Sequence, residues 1–517
     1  MPAQQTRSAL EALTAGCMLL ATASLASGAT IAVPAGGDLH AALTNAQPGD
    51  VIALDPGATY LGNFTLPSKD GAEFITIRTA RLDSVPEGRR VTPELAASFA
   101  KLKSPNNQPA LQTAPGAHHW RLVLLELQGA ADGEGDILTL GSGSSAQNSL
   151  SQVPHDLVVD RCYIHGDPVN GQKRGIALNS AATTITGSYI SDCKRIGQDA
   201  QAIAGWNGPG PFTISNNYLE GAAENLLFGG ADPAIPELVP SDIRITGNLI
   251  SKPVSWRSEK WQIKNLLELK NARRVTVDHN VIQYTWLAAQ TGIAILFTVR
   301  NQDGGCPWCQ VEQVTFEHNI VQHSAAGVSI LGVDNIHPSR QTRSITIRNN
   351  VFADIDDSNW GGNGYCFSLT GGPRDIVIDH NTMIQEHAYG ILQVDGPPVL
   401  GFSFTNNITR HNAYGIKGGG RASGSDTISA FFPASQVSHN VIADGDSERY
   451  PRDNLFPSSA ELRAQFAGYQ SGNYRLVAAS PWRAAASDGR DIGADQSALP
   501  TPQPREPRGP RRQEQPR

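Results

Sequence analysis

The sequence predicts an all-β solenoid whose short strands wind as a parallel β-helix. Three observations carry that prediction. Glycine is abundant, 51 of 517 residues, and only 17% of residues are charged, a balance that disfavours a helical protein of this size. One short motif recurs along the chain at a solenoid period. Within each copy the apolar residues alternate, as Val275, Val277 and Val281 do, which is a strand period.

The motif is VTVDHNVI at 275–282. Its near-copies are VTFEHNIV (314–321), ITIRNNVF (345–352), IVIDHNTM (376–383), FSFTNNIT (402–409) and QVSHNVI (436–442), with weaker copies FTISNNYL (212–219) and IRITGNLI (243–250). Alignment stacks Asn217, Asn248, Asn280, Asn319, Asn350, Asn381, Asn407 and Asn440 in one column, which Ser188 and Cys162 continue upstream. The spacing runs from 26 residues (Asn381 to Asn407) to 39 (Asn280 to Asn319), and most gaps are close to 31. An Asn ladder has a physical cause. Asn tolerates the left-handed backbone of a tight corner, and its amide bonds the amides of the coils above and below. Each coil also carries an upstream strand: ILTL, IALN, AIAGW, LLFG, LLELK, LFTVR, LGVD, FSLT, LQVD and GIKG.

The remaining elements follow in chain order. MPAQQTRSALEALTAGCMLLATASLASGA reads as a secretory leader over 1–29, with Arg7, an apolar stretch and a small-residue cleavage site at Ser27-Gly28-Ala29. A lipoprotein reading of LTAGC, with Cys17 lipidated, is the alternative. Asp38 to Ala46 predicts a helix that places Leu39, Ala42, Leu43 and Ala46 on one face and plugs the open end of the solenoid. Residues 82–118 interrupt the early coils, with a helix expected from Pro93 to Leu102, capped by Thr92. Residues 30–499 are read as one β-helix domain, and a capped solenoid of this kind is expected to be a monomer. The Pro/Arg-rich tail, 500–517, cannot bury a core and is expected to be disordered.

With the repeats in view, the chain resembles the right-handed parallel β-helices of the pectin lyase-like superfamily over residues 30 to 499. That resemblance implies the handedness and an exported, carbohydrate-active protein. VDHN and IDHN echo a stretch of pectate lyases, but the echo is of the corner and transfers no catalytic residue. The paired aspartates and Arg-x-Lys motif of polygalacturonases are not found, nor is an Arg-x-Pro-x-x-Arg lyase pattern.

In–out alternation sets LLELK in register with its neighbours as Leu267-Glu268-Leu269-Lys270, Phe297-Thr298-Val299-Arg300 and Leu331-Gly332-Val333-Asp334, then the strands at 367 and 392. Two outward columns result. One reads Glu268, Thr298, Gly332, Ser368, Gln393 and Lys417. The other reads Lys270, Arg300, Asp334, Thr370 and Asp395, with Asn179 and Trp206 in earlier coils. Coils stack about 4.8 Å apart, so Lys270, Arg300 and Asp334 are expected to touch in sequence. Adjacent cations depress one another's pKa, which makes Lys270 a candidate base, with Arg300 neutralising a substrate carboxylate. Asp334 and Asp395, roughly 9.6 Å apart at two coils, are a candidate inverting pair. Trp206 and Trp308 are candidates for stacking on sugar rings, and Thr298, Ser368, Thr370, Lys417 and Asn179 for binding them. The bland reading is a solvated sheet whose opposite charges suit one another.

Cys306 and Cys309 sit in CPWC followed by a strand-like QVEQVTFEHN, so a local disulfide or a pair of loop thiols is expected rather than a redox centre. His279, His318, His380 and His439 share a column with Asn349 and Asn406, a corner pattern and not a metal site. Calcium has candidate oxygen clusters in DGEGD (132–136) and DIDD (354–357). A net charge of -7 gives no support for a nucleic-acid partner, and no run after the leader is long and apolar enough to span a membrane. Two functions stay open. One is binding and cleavage of an acidic polysaccharide by β-elimination or hydrolysis; the other is a non-catalytic adhesive or glycan-binding solenoid.

Overall fold

The structure, a computed structural model, describes residues 28–81 and 85–501. The leader, Cys17 and the Pro/Arg-rich tail fall almost wholly outside those residues. Among the described residues the strands form three long parallel sheets of 14, 13 and 12 strands. Each coil contributes one strand to each sheet. In one coil Ala272–Asp278 belongs to sheet one, Val281–Thr285 to sheet two and Ile293–Thr298 to sheet three. The chain is a right-handed parallel β-helix.

Alternation explains the core. Ile295, Phe297, Phe316, Val321, Phe352 and Leu369 point inward and are fully buried, each worth roughly 2 kcal/mol of apolar burial. Between sheets one and two the chain turns at the Asn column. Asn319 shows the pattern. Its Oδ1 accepts the Asn280 amide at 2.9 Å, and its Nδ2 donates to the Val277 and Glu317 carbonyls, both at 2.9 Å, and to Asn350 Oδ1 at 3.1 Å. The ladder starts at Ser188, whose Oγ accepts the Cys162 amide, and ends one rung beyond the aligned motifs, at Asn454, whose Oδ1 accepts the Asn440 amide at 3.0 Å.

One expectation about this corner is corrected. The left-handed residue is not the ladder Asn but the residue before it: His279 (φ 56), His318 (φ 54), Asn349 (φ 53), His380 (φ 50) and Asn406 (φ 58). The ladder Asn is buried, where its side chain serves the stack. The preceding position faces outward and takes the strained backbone, which explains its His, Asn and Gly content.

The plugging helix is Leu39–Asn45, with Asp38 accepting the Ala41 amide at 2.9 Å and Leu39, Ala42 and Leu43 buried. The helix expected from Pro93 to Leu102 is absent. A single 3-10 turn spans Leu95–Ser98, and Ala100–Lys103 is a strand of sheet two with Ala100 and Leu102 inward. Burial of that alternating pair outweighs local helix preference. Phe99, Val91 and Ala96 instead form an outer cluster with Val123 and Leu124. At the far end the chain folds back over the outside of sheet two. Leu462, Phe466, Trp482 and Ile492 cover Ile384, Ile408 and Val441, and the Gly493 amide donates to the Asn406 carbonyl at 2.8 Å. No helix of the described residues is long and apolar enough to cross a membrane.

Candidate functional site

The outer face of sheet three holds the charged strip, in a register that differs from the expected one. Glu268 pairs with Leu227 on one side and Leu296 on the other, and the column continues through Ser329, Ser368, Gln393 and Lys417. Thr298 is therefore one outward place further on, where it pairs with Leu331, followed by Thr370 and Asp395. Leu331 was expected inward, but Val328 and Ile330 fill the core there and the strand ends at Leu331. Gly332 and Asp334 consequently lie in a loop and not on the sheet.

Arg300 and Asp334 do meet. The Arg300 guanidinium lies 2.6 Å from Asp334 Oδ1 and also donates to Asn335 Oδ1 at 2.9 Å. The Asp334 side chain is fully buried and accepts the Asn301 amide at 2.7 Å and the Ile336 amide at 2.9 Å. Burial alone would raise this carboxyl's pKa, yet the two amides and the Arg300 charge hold it below the ordinary value. Asp334 thus anchors a loop and an arginine. Both of its oxygens are engaged, which counts against an acid or base role for it in the hydrolytic reading.

Glu268 and Lys270 are a pair. Lys270 Nζ is 3.5 Å from Glu268 Oε1, and Asn265 Nδ2 donates to Glu268 Oε2 at 3.0 Å. Glu268 is 3% exposed while the Lys270 side chain keeps 23% of its surface in solvent. The Arg300 amide donates to the Lys270 carbonyl at 3.0 Å, so the two cations rise from neighbouring coils.

The same face carries residues that sequence reasoning missed. Arg174 donates to Asp136 at 2.9 Å and to Gln201 Oε1 at 3.1 Å, and Gln201 donates to Glu224 Oε2 at 2.9 Å. Lys264 Nζ lies 3.9 Å from Glu224 and also pairs with Asp199. Glu224 is 2% exposed, and its pKa is pushed up to about 7, first by burial and then by the charges of Glu268 and Asp199. Alternation gave no signal for these residues: each stands two places before the first inward apolar residue of its strand, as in Arg174-Gly-Ile, Gln201-Ala-Ile and Glu224-Asn-Leu, the parity that alternation alone would turn inward. A roof covers them. Segment 252–264 brings Trp256 and Ile263 against Trp286 and Ala222, with Trp261, Tyr284 and Trp360 packed alongside.

Other expected positions are structural. Asn179 is 1% exposed, and its Oδ1 accepts the Trp206 and Asn207 amides. Trp206 borders a groove of about 410 Å³ with Asp136, Thr139 and Ala177, but its indole donates to the Gly143 carbonyl and Arg174 lies 5.2 Å over its ring. Trp308 is packed against the core and donates to the Leu238 carbonyl at 3.0 Å, which removes it as a free stacking platform. Cys306 and Cys309 are joined by a disulfide. Asp232 ties the loops into a wall along this edge, its carboxylate accepting the Gln302 and Gly305 amides at 2.7 Å each. Ser368 accepts from Gln393 at 2.9 Å, and Lys417 donates to the Arg421 carbonyl.

The acidic stretches proposed for calcium are engaged within the protein. Asp136 pairs with Arg174, Asp354 pairs with His323 and accepts the Trp360 indole, and Asp356 caps the short helix Asp357–Trp360. Among the described residues no three His, Cys, Asp or Glu side chains are grouped to hold a metal ion. The corner histidines make turn contacts, His279 with Asp278 at 3.1 Å and His380 with Asp379 at 2.8 Å.

Solved structures with a similar fold include two that are described as lyases and one described as a tailspike protein. A PL6 family alginate lyase, AlyGC, aligns at a TM-score of 0.54 and 13% identity over 91% of this chain and 57% of its own. A mannuronic acid specific polysaccharide family 6 lyase from human gut microbiota aligns at 0.49 and 11% identity, over 84% of this chain and 93% of that one. The Dettilon tailspike protein aligns at 0.43 and 12% identity, over 72% and 62%. This chain therefore spans little more than half the length of the alginate lyase. No family model and no curated protein matches the sequence.

Proposed function

We propose that this protein is an exported solenoid that binds an acidic polysaccharide across the outer face of sheet three and cleaves it there by β-elimination. One observation carries the reading. Lys270 and Arg300 stand on adjacent coils, each held by a buried carboxylate, and each keeps about a quarter of its side chain exposed (23% and 24%). Two pre-positioned cations at coil spacing suit the carboxylate of a uronate unit. The fold likeness to AlyGC, described as an alginate lyase, agrees with a polymer of that class.

In elimination, neutral Lys270 takes the proton on the carbon α to the uronate carboxyl. The electrons form a carbon–carbon double bond, and the glycosidic oxygen leaves with the electron pair of its broken bond. That oxygen is protonated by the lysinium just formed. Arg300 offsets the charge that builds on the carboxyl group. Glu268 positions Lys270, and Glu224 and Lys264 complete the charge pattern beside it.

A second reading has its own support. Lys270 already pairs with Glu268 at 3.5 Å, and a charged row binds without cutting. Incubation with a panel of polyuronates separates the two. Elimination yields new absorbance from unsaturated uronate ends that Lys270→Ala abolishes. Retention on a polyuronate affinity gel without new absorbance leaves a binding solenoid, and neither result on any acidic polymer rejects both.

A further inference from the structure

Lys252 is 1% exposed, among the most deeply buried charges of the described chain. Four oxygens lie within hydrogen-bond distance of its Nζ, whose three N–H groups they share: the Gly221 carbonyl at 2.6 Å, Asn225 Oδ1 at 2.7 Å, the Asn265 carbonyl at 2.8 Å and the Ala223 carbonyl at 3.2 Å. The cage has a cause in the coil geometry. Strand Tyr218–Gly221 reaches strand Glu224–Phe228 through a corner of only two residues, Ala222 and Ala223. One coil later, after strand Leu249–Ser251, the chain instead runs out through residues 252–266 to form the roof. The amides that would continue the corner are carried away with it, and the ammonium of Lys252 takes their place against the carbonyls. Asn225 closes the arrangement, its Nδ2 donating to the Leu219 and Ser251 carbonyls at 2.8 and 2.9 Å.

We infer that Lys252 is a positioning residue, its ammonium acting as the resident cation of an oxygen cage that fixes the corner carrying Glu224 and Asn265. The consequence for the site is direct. Ala223 precedes Glu224 in the chain, and Asn265, whose carbonyl the ammonium holds, donates its side-chain amide to Glu268. One buried cation thereby sets both carboxylates of the strip and, through Glu268, the position of Lys270. The cage oxygens are neutral, so a monovalent ion of similar size fits where a divalent metal, which seeks carboxylates, does not. Burial pushes the Lys252 pKa down to about 7 against the opposing pull of Glu224 and Glu220, and the oxygens around Nζ are what favour its charged form. Its effect on substrate rests on the acidic-glycan reading above; the cage itself does not.

The test compares Lys252→Met, which keeps the bulk and removes the charge, with Lys252→Ala, which empties the cage. Lys252→Met is expected to lower the melting midpoint by ~5 °C, because several buried carbonyls lose their donor, and to weaken retention of a polyuronate about tenfold. Lys252→Ala is expected to regain both in a saturable way in ammonium or potassium chloride, and not in tetramethylammonium chloride at equal ionic strength. Wild-type behaviour of Lys252→Met in both readouts overturns the inference. So does equal recovery of Lys252→Ala in all three salts, and so does a lowered midpoint with unchanged retention by the folded fraction. If wild type retains no acidic glycan while the salt-selective recovery of the midpoint holds, the glycan reading fails and the cage stands.

Discussion

Replacing Glu224 with Gln isolates the most perturbed carboxyl of the strip. Burial, with Glu268 and Asp199 nearby, raises its pKa from an ordinary 4.5 to about 7 in the folded chain. A raised carboxyl favours folding fully below its unfolded value, and that contribution is lost as pH climbs through the folded one. A rise of this size in a buried group corresponds to about 3 kcal/mol. Gln is isosteric, accepts the Gln201 amide in the same place and never ionises. Glu224→Gln is therefore expected to match wild type within about 0.5 kcal/mol at pH 4.5 and to exceed it by about 3 kcal/mol at pH 8.5. Guanidinium unfolding at the two pH values measures this, followed by tryptophan emission, since Trp256, Trp261 and Trp286 pack in the adjoining roof. An identical difference at both pH values, or a variant weaker than wild type at pH 8.5, refutes the claim that Glu224 is buried beside like charges.

Other outcomes follow from the same geometry. Asn319→Ala removes a buried side chain bonded to two carbonyls and to both neighbouring ladder residues, and is expected to cost about 3 kcal/mol in denaturant unfolding. Asp334→Asn breaks the pair with Arg300 and weakens the bonds to the Asn301 and Ile336 amides; a loss of about 3 kcal/mol and faster protease cleavage within 332–342 are expected. Lys270→Ala and Arg300→Ala should each weaken polyuronate retention about tenfold, with wild-type retention falling as salt rises, and each should also lower the thermal midpoint, because Glu268 or Asp334 is left buried without its cation.

The coil repeat was legible because the Asn column and inward apolar positions are imposed at every turn, and few residues satisfy either. The register of sheet three was not. Phe297 and Val299 do point inward, but an even slip leaves every apolar residue on its correct face, so alternation alone could not detect that Leu296 and not Thr298 sits beside Glu268. At Leu331 the phase itself inverts, because Leu-Gly-Val-Asp reads as strand although the ladder has already ended. Asp334 looked catalytic for the same reason that it is structural: a carboxylate beside an arginine satisfies both descriptions until its other partners are known. Glu224 and Gln201 escaped notice because they open their strands, where polar residues are easily assigned to turns. The roof, made by an excursion absent from neighbouring coils, has no repeat to betray it. Lys252 was invisible in sequence, since nothing local marks a lysine whose partners come from another coil.

The most direct test is the structure of the protein with a uronate oligosaccharide bound. The chain is expected to lie over sheet three between the roof and the loop wall, with a sugar carboxylate within hydrogen-bond reach of Lys270 and Arg300. An oligosaccharide seated on another face, or on sheet three with both cations still turned to their own carboxylates, contradicts the account.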